Sequence, residues 1–312
     1  MTASRSRGVL TLAFLTCSII ALLYYPALAS KAASNSLTLC LTVVIPTLFP
    51  FMVLSSMLVK TGSAGIIGDT VSPLLGPLLG INGDGVSVFV LGLLGGYPLG
   101  AKTVAQMYDE SRITSDDAEY LLGFCSNSGP GFIVGACGAG VFGSVKIGLV
   151  LLLSHILAAV CVGVIFRCLT PRHNKKQHIG DSVTKPFSVS FVESVRESVR
   201  AVMDVSGFVI IVQVLLGVLR GVGAVPPGIL GIMTEGFVEL TSGVFRLQGL
   251  NTVTAATAAS FMLGWGGLCV HCQTMSFTAP RGLRLGRYFA GKLMHGVLSA
   301  LFTLSSMYLL KF

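Results

Sequence analysis

The stretch Val86–Lys102, VSVFVLGLLGGYPLGAK, constrains this chain more than any other. It is apolar or small as far as Leu94, and a helix over that run rises only about 14 Å, roughly half of a bilayer's hydrocarbon core. Gly95, Gly96, Pro98 and Gly100 follow at once. Glycine lowers helix propensity, and proline removes a backbone donor and clashes with the turn before it. A helix built here stops at mid-depth and turns, and Lys102 comes straight after with a charge that lipid tolerates poorly. Unwound backbone at that depth survives where it is packed in protein or lines a water-filled cavity. The pattern fits a re-entrant hairpin at a binding site. A kinked transmembrane helix ending in an interfacial lysine is the plainer alternative.

Composition sets the surroundings. Of 312 residues, 53% are hydrophobic and 11% charged, where a soluble domain carries about 25% charged residues. Mean hydropathy is +0.82. The chain therefore reads as an all-α polytopic membrane protein whose first partner is the lipid bilayer. Its 38 glycines suit helices that pack closely or break in lipid. The net charge of +8 is concentrated at chain ends and in loops, at Arg5, Arg7, Arg167, Arg172, Lys175, Lys176, Arg281, Arg284 and Arg287. That is the positive-inside distribution, with no continuous basic face for nucleic acid. Cys269-Val-His-Cys272 has redox or metal spacing but no second cysteine pair, so neither a metal nor a cofactor is expected.

In chain order, Gly8–Leu28 reads as an uncleaved first span after a basic start, although Ala27-Leu28-Ala29 has the look of a signal-peptidase site. Residues 1–35 hold this span and its loop. A unit over 36–168 follows: a span at Ser36–Val59, short broken helices over Thr61–Gly85, the hairpin, a polar helix starting near Ser115 behind a Thr114/Asp117 capping box, and a span at Val145–Cys168. Between these last two, Ser126, Asn127, Ser128, Gly129 and Pro130 read either as a loop or as a second unwound segment lining a cavity. Residues 169–190 form a basic linker. A second unit, 191–312, opens with an amphipathic segment, Phe191–Val202, whose valines 192, 195, 199 and 202 predict an interfacial helix. It ends in a span at Tyr288–Leu310 that carries Lys292 and His295.

The second unit echoes the first. Leu91, Gly92, Gly95 and Gly96 align with Leu263, Gly264, Gly266 and Gly267, and Phe89 with Phe261. Paired glycine-interrupted segments in two halves point to a transporter site. The expected architecture is two inverted repeats, each with a broken or re-entrant helical hairpin, with Lys102 and Gln273 at the two tips.

GGYPLGAK (95–102), LLGFCSNSGPGFIVGACG (121–138) and GWGGLCVHCQ (264–273) together resemble the YlbJ-type sporulation membrane proteins. These belong to the nucleoside-recognition gate family, related to concentrative nucleoside transporters. The resemblance covers the chain from about Ser36 onward. It implies a carrier moving dipicolinic acid across the outer forespore membrane, and it places substrate contacts on Asn127 and Ser128. The hairpin tip departs from the Gln-Thr-Glu type of the nucleoside carriers, so recognition of ribose and base is not carried over.

The residues themselves favour an anion. Lys102, the N–H groups of broken helix ends, Gly96, Tyr97, Pro98, Ser126, Asn127, Ser128 and Gln273 form the candidate substrate site, with Lys102 as its cation unless it pairs with a carboxylate or snorkels. Glu239 is the candidate for ion coupling, or else a helix-end carboxylate. No HExxH, GxSG or GxGD motif argues for an enzyme. A structural or assembly protein of the spore envelope and a nucleoside carrier are the competing functions, and a homo-oligomer is left open.

Overall fold

The computed structural model describes residues 2–170 and 186–311, with side chains from residue 8 onward; most of the linker expected over 169–190 lies outside them. The described residues form helices joined by turns and short unwound stretches, without strands. Helix α1, Thr2–Tyr24, stops four residues before the expected end of the first span, because Pro26 opens α2, Pro26–Leu39. Helix α2 runs through a π-turn, Cys40–Val44, into α3, Ile45–Lys60. Pro46 has no N–H for the carbonyl one turn back, and the ladder widens there so that Ile45 N–H reaches Cys40 O. The result is one 35-residue apolar span, Pro26–Lys60.

The segment expected to be broken over Thr61–Gly85 is instead a single helix, α4, Ser63–Leu79, with Pro73 and Pro77 inside it. It turns by 95° into α5, Gly83–Gly95. Gly80, at φ +67°, makes the corner, and the Asn82 side chain caps α5 by accepting from Gly85 N–H at 2.9 Å. After Gly96–Pro98 the chain folds back as α6, Leu99–Asp109. The capping box at Thr114 is present and starts α7, Ser115–Cys125. That helix is wet only over its first turn and buried from Ala118 on: Tyr120 is fully enclosed and gives its hydroxyl proton to Leu79 O at 2.6 Å.

Residues Ser126–Gly129 are unwound, Gly131–Val141 is π-helical, and α8, Val145–Leu169, crosses next. Helix α9, Phe187–Gly221, is one continuous 35-residue rod, so there is no separate interfacial helix. Its buried stripe is Ser190, Ser194, Ser198 and Ala201, while Val192 and Val199 face outward. Helices α10, Gly228–Val238, and α11, Leu240–Phe245, meet at Glu239. Helix α12, Thr252–Trp265, breaks at Gly266, at φ +88°, and continues as α13, Gly267–Thr278. The two run on as an interrupted span, Thr252–Arg281, so the second half has no hairpin at its aligned glycines.

The chain closes with α14, Gly286–Leu309. It is about 36 Å long, and its polar residues Lys292, His295, Ser299 and Thr303 lie on one buried stripe. In chain order, two short packed helices, a broken helix and a long helix follow one another twice: α5–α6, α7 with the π-helix, α8; then α10–α11, α12–α13, α14. By this order the Gly266 break answers the break at Ser126–Gly129, and Glu239 answers the turn at Gly96–Pro98.

Candidate functional site

The turn after α5 is made by Gly96 at φ +75° and a cis Tyr97–Pro98 peptide bond. Gly92 and Gly100, on the two arms, both press on the Cys125 carbonyl at the end of α7, where a Cβ has no room. Gly96 packs on Gly129 just as closely: a Cβ on Gly129 would lie 3.2 Å from Gly96 Cα. The hairpin tip and the unwound strand are thereby fixed against each other. Asn127 donates to Phe124 O at 2.9 Å, closing the end of α7, and Ser128 N–H donates to His155 Nε2 at 3.0 Å.

Against this junction sits a cavity of about 500 Å³. Tyr97 comes from the hairpin, Ser128 and Gly129 from the break, Glu239 and Thr241 from the α10–α11 corner, and Gln273 from α13; Leu48, Phe132 and Val205 supply apolar wall. Four polar residues expected from the sequence therefore converge: Tyr97, Ser128, Gln273 and Glu239. Gly96 and Pro98 shape the turn without lining the cavity. Ser126 and Asn127 are fully enclosed beside it, with Ser126 Oγ and Asn127 Oδ1 left without a partner.

Lys102 is elsewhere. Its ammonium lies 3.7 Å from Glu197 Oε2 on α9, a carboxylate it shares with Lys60, which approaches Glu197 Oε1 to 2.8 Å and Glu193 to 2.9 Å. One helical turn past Pro98, the side chain points toward α9 rather than the tip, and the carboxylate pairing is the alternative that the structure adopts.

The cation behind the cavity is Lys292 on α14. It has no exposure and no carboxylate partner among the described residues. Its Nζ donates to the Tyr97 hydroxyl and to Ser126 O, the latter at 2.8 Å, and it sits 4.6 Å from the centre of the Tyr97 ring. The Tyr97 hydroxyl passes its own proton to Leu263 O at 3.0 Å. A lysine five positions into the expected last span was visible in the sequence and is a site candidate by default; its distance along the chain from the hairpin hid its partners. His155 on α8 and His295 on α14 face each other with ring centroids 4.2 Å apart.

Glu239 caps α11, accepting from Thr241 N–H at 2.9 Å and Ser242 N–H at 2.8 Å, and from Gln213 Nε2 at 2.6 Å. Glu235, one turn earlier and fully buried, is held by Arg220 at 3.0 and 3.1 Å and by Arg246. It pairs with two guanidiniums and does not line this cavity. Cys269 and Cys272 are free thiols, and Cys269 Sγ accepts from Gln273 Nε2 at 3.5 Å.

Residues 41–170 match the gate family described as nucleoside recognition. The sporulation integral membrane protein YlbJ of Bacillus subtilis (strain 168) is 27% identical over 93% of this chain and 80% of its own length. No solved structure matches.

Proposed function

We propose that this chain, which belongs to the YlbJ-type family of sporulation integral membrane proteins, is a carrier that moves a small organic anion through the cavity between its two broken halves. Dipicolinate is the first candidate and the outer forespore membrane the proposed location. The observation that carries the reading is Lys292. It is a fully buried lysine with no carboxylate partner among the described residues, and its Nζ is linked through the Tyr97 hydroxyl to the cavity wall. Burying a lone ammonium is costly, so a cation kept there is expected to have work to do. A bound carboxylate gains from its field, while Ser128, Gln273 and Thr241 offer hydrogen bonds at the wall. Glu239, also at the wall, already has three donors, which offset its charge toward an anion. Glu239 is also the proposed coupling residue.

Uptake of labelled pyridine-2,6-dicarboxylate into vesicles reconstituted with purified protein tests the proposal. Lys292→Met keeps length and removes charge. Losing a charged hydrogen bond of about 1.5–3 kcal/mol raises the half-saturation concentration roughly ten- to hundred-fold. Absence of uptake by the wild-type protein would favour a structural role in the spore envelope. Competition by unlabelled uridine at low concentration would favour a nucleoside instead.

A further inference from the structure

A second cavity, open and about 680 Å³ in volume, lies between α2, α9 and α11. Asn35, Gln213, Arg220, Ser242 and Arg246 line it. Its charge is unusual for a chain of this kind. Arg220 and Arg246 both reach it, and the one acid they hold, Glu235, is wholly buried behind them. Two guanidiniums against one carboxylate leave one positive charge facing the opening. The arginine side chains are 43% and 37% exposed, and Glu235 occupies only Nε and Nη2 of Arg220 and Nη1 of Arg246. Both side chains line the space, and their remaining N–H groups are of the kind that suits a carboxylate or phosphate.

The position matters as much as the charge. Arg220 is at the end of α9, and Gln213 lies seven residues deeper, about 10 Å along the helix. Gln213 lines this cavity, and its Nε2 donates at 2.6 Å to Glu239, which lines the central one. Ser242 N–H, from this cavity's wall, donates to the same carboxylate. Glu239 thus stands between the two spaces, held from this one by Gln213 and Ser242.

We propose that Arg220 and Arg246 form a separate binding site for a small carboxylate- or phosphate-bearing anion, placed as a vestibule to the central cavity behind the Gln213–Glu239 partition. The vestibule role rests on the carrier reading; the site itself does not. A purely structural ion cluster makes a different prediction, since it loses by any change in its members.

Equilibrium binding of pyridine-2,6-dicarboxylate to the full-length protein in phosphatidylcholine nanodiscs reads the site. Arg246→Gln brings the cluster to neutrality, and Glu235→Gln leaves two positive charges. Affinity falls roughly fivefold in the first and rises roughly fivefold in the second, the scale of one partly exposed charge. Both variants are read in a Lys292→Met background as well, where the same ordering persists if the site is separate. Nanodiscs with added phosphatidylglycerol test whether a lipid headgroup takes the same place; it then competes with the probe in the same charge order. Affinities that move together in both variants, or not at all in either lipid, overturn the site. Loss of the ordering only in the Lys292→Met background overturns its separateness. Normal uptake by Lys292→Met alongside an intact charge order rejects the central carrier reading and leaves the arginine site in place.

Discussion

Two lysines carry the residue-scale difference between sequence and structure. Lys102 follows the GGYPLG turn and is the obvious cation for its tip. It lies instead against Glu197, whose side chain is 41% exposed. Lys102→Gln is therefore expected to change the half-saturation concentration for the probe anion less than about twofold, because the ammonium pairs with Glu197 and does not line the cavity. Tyr97→Phe is expected to behave otherwise. The hydroxyl accepts from Lys292 and donates to Leu263 O, so its removal leaves a buried donor and a buried acceptor short of a partner. A loss of about 1–3 kcal/mol follows, seen as a lower melting temperature of the purified protein. An unchanged melting temperature would show that Lys292 relies on Ser126 O alone. The physics of a buried cation at the turn was legible in the sequence. Which lysine supplied it was not, because Lys292 reaches Tyr97 from a helix almost two hundred positions on, and no local pattern records that contact.

At the scale of elements, the glycine turn, the polar break and the capping box at Thr114 were legible because each is a local backbone requirement. The buried face of α9 was not. Periodicity of valine predicts an interfacial helix with its apolar face against lipid, and that leaves open which face meets the neighbouring helices. In lipid the outward face is apolar too, and close packing uses small residues such as Ser190, Ser194 and Ser198. The second hairpin was misplaced for a related reason: glycines at 266 and 267 match those at 95 and 96 in spelling, yet only the first pair folds the chain back. The packing of that hairpin is testable through Gly100. A Cβ there meets the Cys125 carbonyl, which is backbone and cannot rotate aside. Gly100→Ala is expected to cost about 1–3 kcal/mol, whereas Gly135→Ala, with nothing within 4 Å of its Cβ, stays within about 0.5 kcal/mol of the parent. Thermal unfolding of the two variants side by side checks it. Equal stabilities would mean that α6 does not press on the end of α7.

For the whole molecule, length decides what crosses the membrane. Helices α5 and α6, with 13 and 11 residues, are about 20 and 16 Å long, short of a hydrocarbon core of about 30 Å. Helices α10 and α11, with 11 and 6 residues, are shorter still. Each pair is therefore expected to enter and leave on one side, with its turn, at Tyr97 or at Glu239, inside. Both turns reach the same cavity. Two short pairs that meet at mid-depth either come from one side, crowding their outer ends together, or from opposite sides, as an inverted relation between the halves requires. Single cysteines distinguish these in a background with the exposed Cys17 and Cys168 changed to serine. Asn82→Cys and Glu110→Cys mark the outer ends of the first pair, and Ala224→Cys and Gln248→Cys those of the second. A membrane-impermeant maleimide applied to oriented vesicles should label the first two from one face and the last two from the other. Labelling of all four from one face would leave the halves parallel. Asn82 and Glu110 labelled from opposite faces would mean that α5–α6 crosses the bilayer and is no re-entrant hairpin.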